Sequence, residues 1–201
     1  MGALSWLITD GAEYHTVVFD TADWLESLIH KQVASDAGKK VISDIGFGKG
    51  YDSAVHLWRA ILDSCDHLLR IGKGVIFLAH AKVTRFEDPE QASYDRYELD
   101  LHKSSNGMIQ EWADEVLFAT FRTFTRKLDE GFGKEKTIAV GGKERYIRTV
   151  QTAAAVAKNR LNLPEELPMT WSEYAKYIPS RKPQGANIEG LVVDGSSKVH
   201  A

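Results

Sequence analysis

The apolar positions change period inside the stretch "YHTVVFDTADWLESLIHKQV". Val17, Val18 and Phe19 form a short continuous run, which predicts a strand buried on both faces of a parallel sheet. After Asp20, the residues Trp24, Leu25, Leu28, Ile29 and Val33 recur at helical spacing, so the strand leads directly into a helix. From Asp52, the predicted N-cap, Ala54, Val55, Trp58, Ile61, Leu62, Cys65, Leu68 and Leu69 keep a spacing of three and four and predict a long amphipathic helix. "RIGKG" ends it, and "VIFLAHA", Val75 to Ala81, predicts a second buried strand. Strand, helix, helix, strand, with both strands apolar throughout, implies an α/β fold whose largely parallel sheet is flanked by helices.

Beyond Ala81 the pattern turns polar, and "EDPEQASYDR" predicts an exposed loop. "YELDL" and "DEVLFATF" predict further strands flanking a short helix from Asn106 to Ala113. Between Arg122 and Arg148 lie eight Lys and Arg against four Asp and Glu, punctuated by Gly131, Gly133, Gly141 and Gly142, which predicts antiparallel hairpins at the C-terminal edge of the sheet. Thr170 with Glu173 predicts a capping box, and Trp171, Tyr174, Ala175 and Ile178 form one helical stripe. A core domain over residues 1–178 and a loose tail over 179–201 follow from this pattern.

Composition changes this picture little. At 201 residues with 43% hydrophobic residues, the chain suffices for one sizeable core. A net charge of -3 excludes a strongly basic nucleic-acid binder, while leaving room for a local basic surface. Cys65 is the single cysteine, so no intrachain disulfide is available and a reducing, cytoplasmic setting is expected. The apolar runs are too short to span a membrane.

The candidate chemistry sits at strand ends. Asp20 closes "VVFD", the position at which open α/β sheets bind ligands. It reads either as a Mg2+-holding acid or as the N-cap of the next helix. His80 ends the second strand; if the two strands are neighbours it shares that sheet edge with Asp20, where it would sense a terminal phosphate or simply be satisfied as it leaves the core. Lys158 and Arg160 in "AKNRLNLP" stand two apart, which suits an anionic partner or a solvated edge strand. The stretch "SDIGFGKGYDS", Ser43 to Ser53, has a Gly-Lys pair but is not a phosphate loop, since Gly50 stands where G-x-x-x-x-G-K requires Ser or Thr. Phe121, Phe124, Phe132 and Tyr146, set among the basic residues, offer base stacking or a solvated hairpin edge.

The blocks "TVVFDTADWLE", "GKGYDSAVHLW", "GVIFLAHAKVTRFEDPE", "YDRYELDLHKSSNGMIQEWADEVLFA" and "AKNRLNLPEELP", in this order, resemble the AAA-type phage nucleotide-binding proteins. That RecA-like P-loop NTPase family includes phage single-strand-annealing ATPases. The resemblance covers residues 4–178 and implies a RecA-like core, ATP and Mg2+ binding, and action on single-stranded DNA in recombination, annealing or replication. It further implies a homo-oligomeric ring or filament, no membrane association, and a phage-encoded protein in the bacterial cytoplasm.

By resemblance, Asp20 with Thr21 belongs to the Walker B strand and holds Mg2+ through water, and His80 is the phosphate sensor. Lys158 and Arg160 reach ATP on the neighbouring subunit. Lys49, Lys82 and Arg85 fall in the segments Ile45 to Tyr51 and Lys82 to Arg96, the counterparts of DNA-facing loops. The family's Walker A loop has no counterpart ahead of "VVFD". The expectation is therefore a downstream portion of a longer protein, binding ATP weakly and inactive in hydrolysis by itself. The alternative is a non-catalytic DNA-binding or subunit-assembly module with an incomplete nucleotide site.

Overall fold

The computed structural model describes residues 2–129 and 135–179, with side chains described outside 124–140. Helix α1 (Gly2–Thr9) precedes strand β1 (Thr16–Phe19), helix α2 (Ala22–Asp36), the long helix α3 (Lys49–Arg70) and strand β2 (Gly74–Phe77). β1 and β2 pair in parallel with Val17 beside Val75 and Phe19 beside Phe77. The predicted strand-helix-helix-strand unit is therefore present. Among the described residues, parallel pairing beyond it is limited to an isolated bridge from Tyr97 to Ala155, so the expectation of a largely parallel sheet is met only in part.

The core lies on one face of this pair. Val17, Phe19, Val75 and Phe77 pack against the apolar stripe of α3, where Ala54, Trp58, Leu62, Cys65 and Leu68 are all buried. Phe19 stacks on Phe77 with centroids 4.2 Å apart and the planes 12° from parallel. The edge of Trp112, from helix α4 (Lys103–Trp112), meets the same Phe77 ring at 5.9 Å. The opposite face is bare: Val18 is 52% and Ile76 43% exposed. The strands are thus buried on one face, where the unbroken apolar run predicts two. Cys65 is fully buried, and burial pushes its thiol up to about 12, as befits a core position rather than a nucleophile.

Polar "EDPEQASYDR" is only partly a loop. The chain leaves β2 at Leu78 and starts strand β3 (Ala81–Phe86), which pairs antiparallel with β4 (Tyr94–Leu99). Alternating exposure along "AKVTRF" gives the pairing a period of two, but its polar members hide that period behind the turn residues. The predicted C-terminal hairpin is present as β5 (Phe118–Asp129) against β6 (Glu135–Arg148), with the short β7 (Glu166–Pro168) on the other edge of β6. Gly141 and Gly142 sit inside β6 near a register shift rather than at a turn, while Gly131 and Gly133 lie outside the described residues. Helix α5 (Trp171–Tyr174) is one short turn. Its capping box does not form: Thr170 makes no cap to the backbone, and Glu173 pairs instead with Lys176 at 2.6 Å. The tail beyond residue 179 lies outside the described residues.

"SDIGFGKGYDS" forms two short 3-10 turns, Ile42–Asp44 and Gly46–Gly48, and the first turn of α3. Gly48 is the N-cap, with φ of 73°, and Asp52 lies inside the first turn rather than at the cap. A Cβ on Gly50 would come within 2.8 Å of the Ile42 side chain and 2.9 Å of the Ile42 carbonyl oxygen, so the turn can close on the helix only over a glycine.

Two stability outcomes follow. Leu62→Ala is expected to cost ~2–5 kcal/mol in urea unfolding through transfer and cavity terms. Gly50→Ala is expected to cost ~1–3 kcal/mol by overpacking, whereas Gly46→Ala, with open space at its Cβ, leaves the midpoint within ~1 kcal/mol. Equal midpoints for the two glycine variants would disprove the close approach.

Candidate functional site at the C-terminal edge of the parallel pair

Because β1 and β2 run in the same direction, their C-terminal ends lie side by side. Leu78 donates its N–H to the Phe19 carbonyl at 2.9 Å and accepts from the Ala22 N–H at 2.7 Å, which continues the pairing past both strand ends. Asp20 and His80 emerge beyond this closure on one edge, as the neighbouring-strand argument requires. Asp20 is exposed, and no hydrogen bond to its carboxylate is found among the described residues. It is not the helix cap. Thr21 fills that role, its Oγ1 accepting from the Trp24 N–H at 3.5 Å, and the Asp20–Thr21 peptide bond is cis.

The edge contains a residue that the strand-end motif does not reveal. Asp23, in the first turn of α2, accepts the backbone N–H of His80 at 3.2 Å through Oδ1, while its Oδ2 stands 2.9 Å from His80 Nδ1. Burial pushes the Asp23 carboxyl up, but hydrogen bonds from His80 and Thr21 outweigh it and hold it down at about 2. His80 is raised above its ordinary value, first by the hydrogen bond to Asp23 and then by its charge, with smaller contributions from Asp100 and Asp20. The only sequence sign of Asp23 is an acid in a helix's first turn, where the macrodipole favours one anyway.

Next to this edge, α2 also fixes the entry to α4. Glu26 is 6% exposed and accepts the His102 N–H at 2.8 Å through Oε2, while the His102 ring stacks on Tyr51 at 4.2 Å. Lys82 turns back on the same region, donating to the Leu101 carbonyl at 2.8 Å and pairing with Asp100 at 3.3 Å.

The remaining candidates separate. Lys82 and Arg85 project to opposite sides of β3, and Arg85 pairs with Asp95 at 3.5 Å. The segment Lys82 to Arg96 is a strand hairpin rather than a loop. Lys49 opens α3 and borders a groove of about 360 Å3 between α2 and α3, lined by Val33, Ile45 and Leu57. A larger concavity of about 560 Å3, bounded by Arg148 and Glu165, includes none of the predicted site residues. Lys158 donates to three carbonyls, Gln110 at 2.9 Å, Glu111 at 2.8 Å and Ala113 at 2.6 Å. Its ammonium therefore caps the C-terminus of α4 and is fully occupied in this arrangement. Arg160 is 57% exposed and pairs with Asp114 at 2.8 Å. Of the candidate stacking rings, Tyr146 is buried, with the Arg122 guanidinium over its ring at 4.6 Å and Arg148 donating to its hydroxyl at 3.0 Å. Phe121 is 54% exposed with Arg145 at 5.6 Å, and Phe124 and Phe132 lie outside the described side chains and residues.

Two short parallel strands covered on one face by helices, followed by antiparallel hairpins, define a mixed α/β domain. The comparisons agree: a family profile described as an AAA domain matches residues 1–161, and the chain belongs to that family. AAA domains are nucleotide-binding NTPase folds. No curated protein and no solved structure matches. No helix among the described residues is long and apolar enough to cross a membrane.

Magnesium is the ion that the family implies, and the donor chemistry fits it. Mg2+ keeps several of its waters and uses one or two carboxylates, and Asp20 offers one exposed oxygen donor free of protein hydrogen bonds. No group of three His, Cys, Asp or Glu residues among those described is arranged to enclose a metal.

Two measurements test these roles. Lys158→Met should lower stability by ~1–3 kcal/mol, because three carbonyls lose their donor, while Arg160→Ala costs less than ~1 kcal/mol as an exposed pair. Parity between the two in urea titration would contradict the capping role.

The Asp23–His80 pair also fixes a pH dependence. Asp23 titrates lower folded than unfolded, so its stabilisation is present above its ordinary 3.8 and is lost as pH falls toward 2. His80 titrates higher folded, so its share is complete below its ordinary 6.5 and fades as pH rises through the raised value. The stability gap between wild type and Asp23→Asn is expected to peak between 3.8 and 6.5 and shrink on both sides; a gap that is flat with pH would refute the pairing.

Proposed function

We propose that this chain is part of a phage RecA-like ATP-binding protein that acts on single-stranded DNA in recombination, annealing or replication, and that works as a homo-oligomer in the host cytoplasm. One observation carries the reading: Asp20 and His80, far apart in sequence, meet at the C-terminal edge of adjacent parallel strands within an AAA-family domain. In this reading Asp20 holds Mg2+ through water beside the Thr21 cap, and His80 faces the terminal phosphate. Held there, Mg2+ would supply charge neutralisation at the phosphate oxygens. The chain's own residues bind and orient: parallel pairing of β1 with β2 supports a shared sheet edge for Asp20 and His80, with the Phe19–Phe77 stack within the strand pair that leads to it.

The sequence holds no G-x-x-x-x-G-K-[ST] loop, so in this reading the chain alone binds ATP weakly. Arg160 is the cation free to swing toward a neighbouring subunit, since breaking its exposed pair with Asp114 costs little. Lys158 remains committed to the carbonyls at the end of α4. Lys49 on the α2–α3 rim and Arg85 on the outer side of β3 are the proposed phosphate contacts for DNA. The buried Tyr146 argues against stacking as the main mode.

NMR titration of the chain with ATP and Mg2+ tests this. Saturable shifts centred on Asp20, Thr21 and His80, weaker than micromolar and abolished by Asp20→Ala, are expected. No response at these residues up to about 5 mM nucleotide, where even a site worth only ~4 kcal/mol would be largely filled, would sink the proposal.

A further inference from the structure

We infer that Asp23 is the positioning residue of this edge: by gripping both the backbone and the ring of His80, it fixes one imidazole tautomer and leaves Nε2 as the ring's working atom beside Asp20. The inference rests on the nucleotide reading only for the identity of what Nε2 meets.

Three observations carry it. Asp23 touches His80 twice, at the backbone N–H (3.2 Å) and at Nδ1 (2.9 Å), so both the path of the chain and the rotation of the ring are set by one carboxylate. Most residues leaving a strand give their N–H to a sheet neighbour or to water; here a side chain from the preceding crossover takes it. The Asp23 side chain is 17% exposed and the His80 ring 66%, so the gripping end is shielded and the opposite end is open.

A carboxylate accepts and cannot donate, which obliges Nδ1 to carry the hydrogen. In the neutral ring Nε2 then has a free lone pair, and in the protonated ring it carries an N–H directed away from the grip. No hydrogen bond to Nε2 is found among the described residues. The arrangement has the logic of a carboxylate-oriented histidine, in which the partner at one nitrogen decides the chemistry available at the other.

Asp23 is close enough in sequence to Asp20 to be mistaken for a second metal acid. Its two oxygens are both engaged with His80, however, and this separates the two aspartates by role: Asp20 open, Asp23 committed. The charged groups near His80 are Asp23 from α2, Asp20 from the end of β1 and Asp100 after β4, with Lys82 drawn off by Asp100. Two further carboxylates would pull a loose imidazole toward themselves, so an unheld ring has competing partners. The Asp23 contact removes that choice.

The test is 15N NMR of the histidine rings in the full chain, comparing wild type, Asp23→Asn and Asp23→Ala. In wild type, the neutral His80 ring is expected to carry its hydrogen on Nδ1. Asparagine has the same shape and can still accept the backbone N–H, but its amide donates to Nδ1. The hydrogen is therefore expected to move to Nε2, with the Nδ1–H signal lost. Asp23→Ala should give the mixed tautomers of a free histidine. Backbone amide spectra of the asparagine variant check that the fold is kept. A wild-type ring protonated at Nε2, or an asparagine variant indistinguishable from wild type, would overturn the inference. Adding ATP with Mg2+ then separates the two claims. A shift at wild-type Nε2 that Asp23→Asn loses supports positioning for nucleotide, and equal shifts in both proteins refute it. A tautomer switch without any nucleotide response keeps the Asp23 assignment and rejects the nucleotide reading.

Discussion

Everything at the candidate site depends on the burial of the α3 stripe against one face of two short parallel strands. Four-residue strands have few hydrogen bonds of their own, and a two-stranded ribbon is marginal without a packing partner. Here the partner is a helix of 22 residues whose Trp58, Leu62, Cys65 and Leu68 leave almost no accessible surface. Phe77 is the junction, stacked on Phe19 within the sheet and met by Trp58 and Trp112 from two helices. Each aromatic pair adds ~0.5–1.5 kcal/mol beyond its area. Their larger effect is geometric, because they fix the direction in which both strands run out and hence where Asp20 and His80 stand.

On this rigid base the polar groups divide into those spent on the fold and those left available. Asp23, Glu26 and Lys158 are spent: each bridges segments distant in sequence by satisfying backbone groups at an element's end. Asp20, Arg160 and the Nε2 side of His80 are available, because their alternatives are solvent or exposed pairs of small worth. A binding surface needs groups of the second kind, held in place by groups of the first.

How much of this was legible in the sequence follows from how locally each feature is encoded. The β1–α2–α3–β2 unit was legible because its apolar residues carry their own periods, and the shared edge of Asp20 and His80 followed from parallel pairing alone. Of the β3–β4 hairpin only the second strand was legible, as "YELDL"; β3 was not, since its alternating residues are polar enough to pass for a loop. The caps were misassigned for a similar reason. Asp52 has the right chemistry for capping, but Gly48 in the left-handed region takes the N-cap of α3; Thr170 does stand at the N-cap of α5, but its hydroxyl caps no backbone N–H and Glu173 pairs with Lys176. Lys158 and Asp23 defeat sequence reading altogether, because a cation two residues from another, or an acid in a first helical turn, looks the same whether it faces solvent or a backbone group brought from elsewhere in the chain.

Lys158 gives α4 an unusual dependence. The helix is only ten residues long, and its last turn is closed by an ammonium that enters the chain 45 residues after Ala113. An element that short has little tendency to persist alone. Its C-terminal end therefore belongs, in cooperative terms, to the segment around residue 158 as much as to its own sequence. The wall of the core that carries Trp112 is completed only when the last third of the chain has arrived, so the aromatic junction under the Asp20–His80 edge is sealed from the C-terminal side.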